Sequence, residues 1–323
     1  YPDGVCEGNV VDADQAGDIQ SLFASSKPSV LINTCGPFQA KDYTVAEACI
    51  HAKVHYIDLA DGRDFVCGIT SLDAQAKAAG VMVVSGASTV PALSSAVINH
   101  YKDDFSVIEK LVYGITPGQQ SPRGLATTRS ILTYLGRAIV SKSTSSRARY
   151  GWQDIYRQAY PEMGKRWMAN CDVPDLDLFV DEYGTTDIQF SAGMESSMLH
   201  LGMWFFSWCV RCRLPINLAK HAEFLLRASH LFDRFGSDVG GMHMTIVGRD
   251  DTGKERMTRW YLVAKDGDGP RIPATPAVVL AQKILSHKAI TPGASACVGL
   301  VTLNEYLAAL EPYSIKTFLN PKC

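Results

Sequence analysis

Between Val30 and Tyr101, short apolar runs alternate with helical periodicities, and this alternation restricts the possible folds more than any other feature of the chain. Val30-Leu31-Ile32-Asn33-Thr34 is a continuous apolar run after Pro28, the pattern of a strand buried on both faces of a parallel sheet. Thr44 to Ala52 places Val45, Ala48, Cys49 and Ala52 at helical spacing, with Thr44 and Glu47 spaced as a capping box. His55 to Leu59 reads as the next strand, Ser71 to Ala79 as the next helix closed by Gly80, and Val81 to Ser85 as the strand after that. Pro91 suits the first turn of a helix in which Leu93, Ala96, Val97, His100 and Tyr101 share one side. Upstream, Asn9 to Asp12 reads as a strand end, and Ile19, Leu22 and Phe23 mark a helix. The pattern predicts an α/β, Rossmann-type doubly wound parallel sheet.

Composition limits the function classes. The chain has 323 residues, room for two domains, and its 31 Lys and Arg against 33 Asp and Glu give no basic surplus for a nucleic-acid partner. Nine cysteines scattered without a framework, several inside apolar segments, point to a reducing, cytoplasmic setting. Cys209 and Cys212 form a lone C-x-x-C, and the acidic run from Asp172 to Asp187 lacks calcium-loop spacing, so no metal is expected. The most apolar stretch, Met198 to Val210, is too short to span a membrane; it reads as a buried helix, with Trp204, Phe205, Phe206 and Trp208 as core or subunit contact, and a lipid-like substrate pocket as the alternative. The chain opens on Tyr1 rather than Met, which suggests a cut end.

In a doubly wound sheet the ligand lies beyond the carboxyl ends of the strands. Those ends here are Asp12, Cys35 to Phe38, Leu59 to Arg63 and Gly86 to Thr89. At Cys35-Gly36-Pro37-Phe38, Gly36 permits a close approach of main chain or a positive φ, and the turn can press main chain and a Phe ring against a flat ligand; an ordinary strand-to-helix connection would look the same. Asp12 suits a ribose hydroxyl or a helix N-cap, and Asp58 and Asp61 are either site carboxylates or loop solvation. The G-x-G-x-x-G turn that cradles a dinucleotide pyrophosphate is absent from the sequence.

The run from Val30 to Phe38, then Val45-Ala46-Glu47-Ala48-Cys49, Val54-His55-Tyr56-Ile57-Asp58-Leu59 and Ala76 to Val81, resembles the saccharopine dehydrogenase-like oxidoreductases over about residues 5–100, and more loosely through Gly114 to Gly118 and Gly269 to Pro273. The resemblance implies an NAD(P)-binding domain whose glycine-bearing β-α-β unit would precede Val5. It also implies Asp12 near the adenosine side of NADP or NAD, Asn33, Cys35, Gly36, Pro37 and Phe38 along the nicotinamide side, and Asp58 and Leu59 on the border of the same crevice. It assigns no acid or base.

Residues 1–106 are thus expected to form the partial cofactor domain, 107–275 an α+β substrate and dimerisation domain, and 276–323 helices packing back on the first. Val107 to Thr116 reads as a strand, followed by a turn-rich loop and a helix on which Leu125, Thr128, Leu132, Leu135 and Ile139 keep helical spacing. Arg123, Thr127 and Arg129 at that helix start are candidates for an acidic group on a small-molecule substrate. Met242 to Val247 and Arg256 to Ala264 flank a turn at Asp250 to Gly253 and predict a hairpin, part of an antiparallel sheet that could pair two copies into a homodimer; His243 reads as a sheet residue. The expected activity is hydride transfer between a nicotinamide cofactor and a substrate in the interdomain cleft, with a non-catalytic scaffold or lipid-associated relative as the alternative.

Overall fold

The computed structural model describes residues 12–13, 15–143, 148–286 and 291–321. The expected strand at Asn9 to Val11 lies outside these residues. The first part of the chain runs α1 (Ala16–Ser26), β1 (Val30–Asn33), α2 (Thr44–Ala52), β2 (His55–Asp58), α3 (Arg63–Gly68), α4 (Asp73–Ala79), β3 (Met82–Ser85) and α5 (Ser94–Tyr101). β1, β2 and β3 pair in parallel, in that order. Alternate strand residues feed two cores: Tyr56 and Val83 pack with Ile19, Phe23, Cys49 and Ala76, whereas Ile57 and Val84 pack with Ala96 and Val97. This period of two, with helices on both faces, makes the sheet doubly wound.

Three local expectations are corrected. β1 is not buried on both faces: Ile32 is 40% exposed, because β1 is an edge strand among the described residues. Thr44 and Glu47 do not form a capping box; Asp42 instead accepts from the Thr44 amide (3.2 Å) and hydroxyl (2.7 Å). The capping box that does form joins Thr302 and Glu305. His100 is not buried, so the buried side of α5 ends near Ile98.

The chain continues as β4 (Val107–Thr116), α6 (Leu125–Tyr134), a short pair β5 (Ala138–Ile139) and β6 (Arg149–Tyr150), β7 (Tyr156–Tyr160), β8 (Gly164–Asn170), α7 (Asp175–Tyr183), β9 (Asp187–Met194), α8 (Ser197–Arg211), α9 (Ala222–His230), β10 (Gly240–Arg249) and β11 (Glu255–Ala264). α10 (Arg271–Leu285), β12 (Gly293–Ala296), α11 (Leu303–Leu310) and β13 (Ile315–Leu319) follow. A seven-stranded sheet has the order β13-β11-β10-β4-β9-β8-β7, antiparallel except where β4 runs parallel to β9. The predicted hairpin is β10–β11. The helix from Leu125 stops at Tyr134, so Leu135 and Ile139 lie beyond α6, and Ile139 belongs to β5.

The segment after residue 276, expected to be helical, also supplies two strands. β12 joins β3 as the fourth parallel strand, and β13 pairs with β11 in the other sheet. Both are short, and β12 is Gly-Ala-Ser-Ala, which carries no strand signal. The inner face of the large sheet, with Leu111, Tyr113, Phe190, Met244 and Leu262, packs on the layer of α5, α10 and α11 that also covers the parallel sheet. His243 points to the opposite face and is buried. Tyr160 (2.8 Å) and Tyr156 (3.2 Å) bond its two nitrogens, and burial pushes its pKa down to about 3. The basic and acidic blocks pair with each other through Lys142 and Asp181 and through Arg149 and Asp187.

Candidate functional site

The loops at the carboxyl ends of β1 and β2 pack against α6. At the end of β1, Asn33 is buried; its amide donates to the Tyr56 hydroxyl (3.1 Å) and its oxygen accepts the Cys35 amide (3.0 Å), which turns the chain. Cys35 and Gly36 are exposed, Pro37 is half-buried, and the Gly36–Pro37 peptide is cis. Gly36 does not occupy the positive-φ region, so its lack of a side chain serves close approach alone. A Cβ there would meet only the Phe38 ring at 3.7 Å and the Ala126 Cβ of α6 at 3.9 Å. Phe38 itself is turned inward, 5% exposed, with its ring 5.3 Å from that of Phe65. The expectation that this ring presses on a ligand is therefore corrected: a Phe beside Ala60, Phe65 and Val66 gains more by burial.

At the end of β2, Asp58 is fully buried. Its Oδ1 accepts the Ala60 amide (2.9 Å), the Ser85 hydroxyl (2.9 Å) and the Gly86 amide (2.8 Å), tying the ends of β2 and β3 together. Burial raises its pKa to about 6, and the donors oppose that rise. Leu59 is half-buried beside it. The loop then closes on the first one, since a Cβ on Gly62 would lie 3.2 Å from the main chain of Phe38. Gln39 links three elements: its Nε2 donates to Asp61 Oδ1 (3.2 Å) and to Ser130 Oγ on α6 (2.6 Å). Asp61 is exposed at its surface, but desolvation by the protein packed around it raises its pKa against the Gln39 bond.

Opposite these loops is α6. Ala126, Ser130 and Tyr134 lie four residues apart on one face, turned toward the β1 and β2 loops. The Tyr134 hydroxyl is 2.8 Å from Cys171 Sγ; burial raises the phenol well above its usual pKa and pushes the thiol up to about 12. Below, Arg63 of α3 clamps the opposite side, with Nε on Asp177 Oδ2 (2.7 Å), Nη2 on Asp177 Oδ1 (2.5 Å) and Nη1 on Asp172 (2.9 Å). Of the substrate candidates, Arg123 is drawn toward residues 230–233: it donates to the Gln119 carbonyl (2.8 Å), pairs with Asp233 and stands 3.0 Å from His230. Thr127 and Arg129 are both exposed on the same helix, and neither bonds to the Gln39 network. Asp12 is exposed at the entry to α1, where its carbonyl accepts from Gln15 (3.0 Å).

The candidate site thus gathers Cys35, Gly36 and Pro37 with Gln39, Asp61, Ser130 and Tyr134. The sequence leaves Asp61 open between site and solvation and gives no signal for Gln39. Ser130 and Tyr134 could have been found from their i, i+4 spacing to Ala126, but only once α6 was known to face β1.

The fold recurs in a solved structure. The chain superposes on apo saccharopine dehydrogenase (L-Glu forming) from Saccharomyces cerevisiae with a TM-score of 0.62, over 96% of this chain and 88% of that one. This chain has a saccharopine dehydrogenase-like fold. At 10% sequence identity the likeness is one of fold. Amine dehydrogenase from Mycobacterium smegmatis aligns with 87% of this chain and 78% of its own at a TM-score of 0.41 and 11% identity, too distant to refine the saccharopine dehydrogenase-like assignment. No protein-family model and no curated protein sequence matches the chain.

Proposed function

We propose that the protein is a nicotinamide-dependent oxidoreductase, using NADP or NAD, whose small-molecule substrate lies beside the loop at 35–39 where that loop packs against α6. The observation that carries this reading is the bare, exposed main chain at Gly36, facing Ala126 and next to the Gln39, Asp61 and Ser130 network. The cofactor, when bound, supplies the hydride. A flat ring fits against Cys35, Gly36 and Pro37 because no Cβ stands at Gly36, and Asn33 holds the turn in place through its bond to the Cys35 amide. Asp61 keeps its proton to a higher pH than an ordinary aspartate, so it is the carboxyl in this site best suited to pass one to or from the substrate. Ser130, Thr127 and Arg129 would orient polar or acidic substrate groups, with Arg123 acting through the position of the α6 start.

The test is titration of the full-length protein with NADH and NADPH, read by energy transfer from tryptophan. Absence of saturable binding by both cofactors would refute the oxidoreductase reading. Gly36→Val adds a branched side chain where the fold has ordinary contact distances, so it should leave thermal stability within about 1 kcal/mol and weaken cofactor binding about tenfold or more. Unchanged affinity in a folded variant would move the nicotinamide elsewhere.

A further inference from the structure

The apolar stretch expected to be buried turns out to have an uncovered face. α8 buries only His200 and Ser207 completely; Met198, Leu201, Phe205 and Trp208, spaced three and four apart, form its outer stripe, with Phe205 59% exposed. A soluble surface helix carries polar residues on that side. The segment continues through Leu214 and Ile216 to α9, where Phe224 is 70% exposed, and on to Leu231 and Phe235, each 72% exposed. Every exposed Phe and Trp among the described residues lies between positions 198 and 235. α8, the turn at Leu218 and α9 share one small core with α6 through Met203, Trp204, Leu218 and Leu225, so the outer stripe belongs to a packed unit and not to a loose end.

Charge selects the occupant. The same segment holds five basic residues, Arg211, Arg213, Lys220, Arg227 and Arg234, against Glu223 and Asp233, in a chain whose formal charge is −2. All five are exposed, and Arg211 and Arg234 lie over the rings of Trp208 and Phe235 at 4.9 Å and 4.5 Å. Asp233 is taken by Arg123, Glu223 by Arg227, and Arg211 is turned toward Gln153 and the Tyr150 ring, which leaves Arg213, Lys220 and Arg234 without an acidic partner among the described residues. A second copy seated on this face by two-fold symmetry would set the basic segment against itself. A lipid surface with anionic headgroups would accept both parts: apolar side chains at the acyl boundary and basic side chains at the headgroups. At 15 residues, α8 lies along such a surface and does not cross it.

We propose that the α8–α9 face docks the protein on an anionic lipid surface. The arrangement also relates the surface to the candidate site, because Arg123, Gln119 and Gln120 fasten residues 230–236 to the start of α6, whose other face looks toward Gly36. The experiment is flotation of the full chain with phosphatidylserine-rich or pure phosphatidylcholine vesicles. Tryptophan quenching by brominated acyl chains is recorded alongside, and sedimentation of the free protein measures self-association. The parent is compared with Phe205→Ser/Phe224→Ser and with Arg213→Glu/Lys220→Glu, exposed positions whose replacement should leave the melting temperature unchanged. Binding to the anionic vesicles, weakened about tenfold or more by either double variant and by high salt, supports the proposal. No binding, binding unaffected by the variants, equal binding to both vesicles, or a dimer that Phe205→Ser/Phe224→Ser dissolves would each overturn it.

Discussion

Asp175 offers a direct test of the packing between the two sheets. It opens α7 inside the core, fully buried, where its Oδ2 accepts the Ser94 hydroxyl of α5 (2.6 Å) and the Tyr113 hydroxyl of β4 (2.9 Å) while Oδ1 has no hydrogen-bond partner. Burial raises its pKa to about 7 from 3.8, and the two hydroxyls only partly offset that. Because the folded state holds this proton more tightly than the unfolded chain, the contribution is favourable below the unfolded pKa and is lost as pH rises toward the folded one. A shift of this size corresponds to about 4 kcal/mol between the acid and alkaline limits. Asp175→Asn keeps an acceptor for both hydroxyls and removes the titration. The stability of the variant relative to the parent should therefore increase by about 2 to 3 kcal/mol between pH values of about 5 and 8, and level off above. Urea unfolding followed by tryptophan fluorescence at several pH values measures that difference, and the change common to both proteins cancels. A difference that stays flat with pH would mean that Asp175 is ionised in the folded protein throughout, and the account of this core would be wrong.

Other expectations follow from the same reasoning. Arg63→Met removes the clamp on Asp172 and Asp177 and should cost about 3 kcal/mol in denaturant unfolding, with Arg63→Lys restoring only part because a lysine cannot hold Asp177 with two parallel bonds. His200 sits on the buried face of α8 with both ring nitrogens unpartnered, and burial lowers its pKa to about 4 from 6.5. Its contribution is full above the unfolded value and lost as pH falls through the folded one, so His200→Phe should reduce acid destabilisation by about 3 kcal/mol, read from acid-unfolding curves. Gln39→Leu removes the bond that holds the Asp61 pKa down, and the Asp61 carboxyl should titrate higher in carbon-detected NMR while the melting temperature changes little.

The alternation of β1, α2, β2, α4 and β3 was legible in the sequence because each element is short and its buried face repeats at its own period. β12 was not legible: a Gly-Ala-Ser-Ala strand is defined by the β3 edge it joins, not by its own side chains. At the candidate site, the sequence marks the turn at Gly36 and Pro37 by its place at a strand end, although an ordinary strand-to-helix connection has the same pattern. The inward turn of Phe38 and the outward stripe of α8 could not be, since hydrophobicity does not say on which side of a helix or loop the rest of the chain will lie. Arg123 stands out in the sequence at a helix start, but Asp233, over a hundred positions later, takes its charge. Gln39 gave no signal, for its role depends on two loops and a helix meeting.

The last strands of the described chain close both sheets, β12 the parallel one and β13 the mixed one. During synthesis neither sheet can acquire its full set of strands until residues 293–319 have left the ribosome. The parallel sheet would wait with the β3 edge open, and the large sheet with the β11 edge open. Early release of the chain, or its truncation before Gly293, should thus produce two adhesive edges in one molecule, and not one finished half beside one missing half.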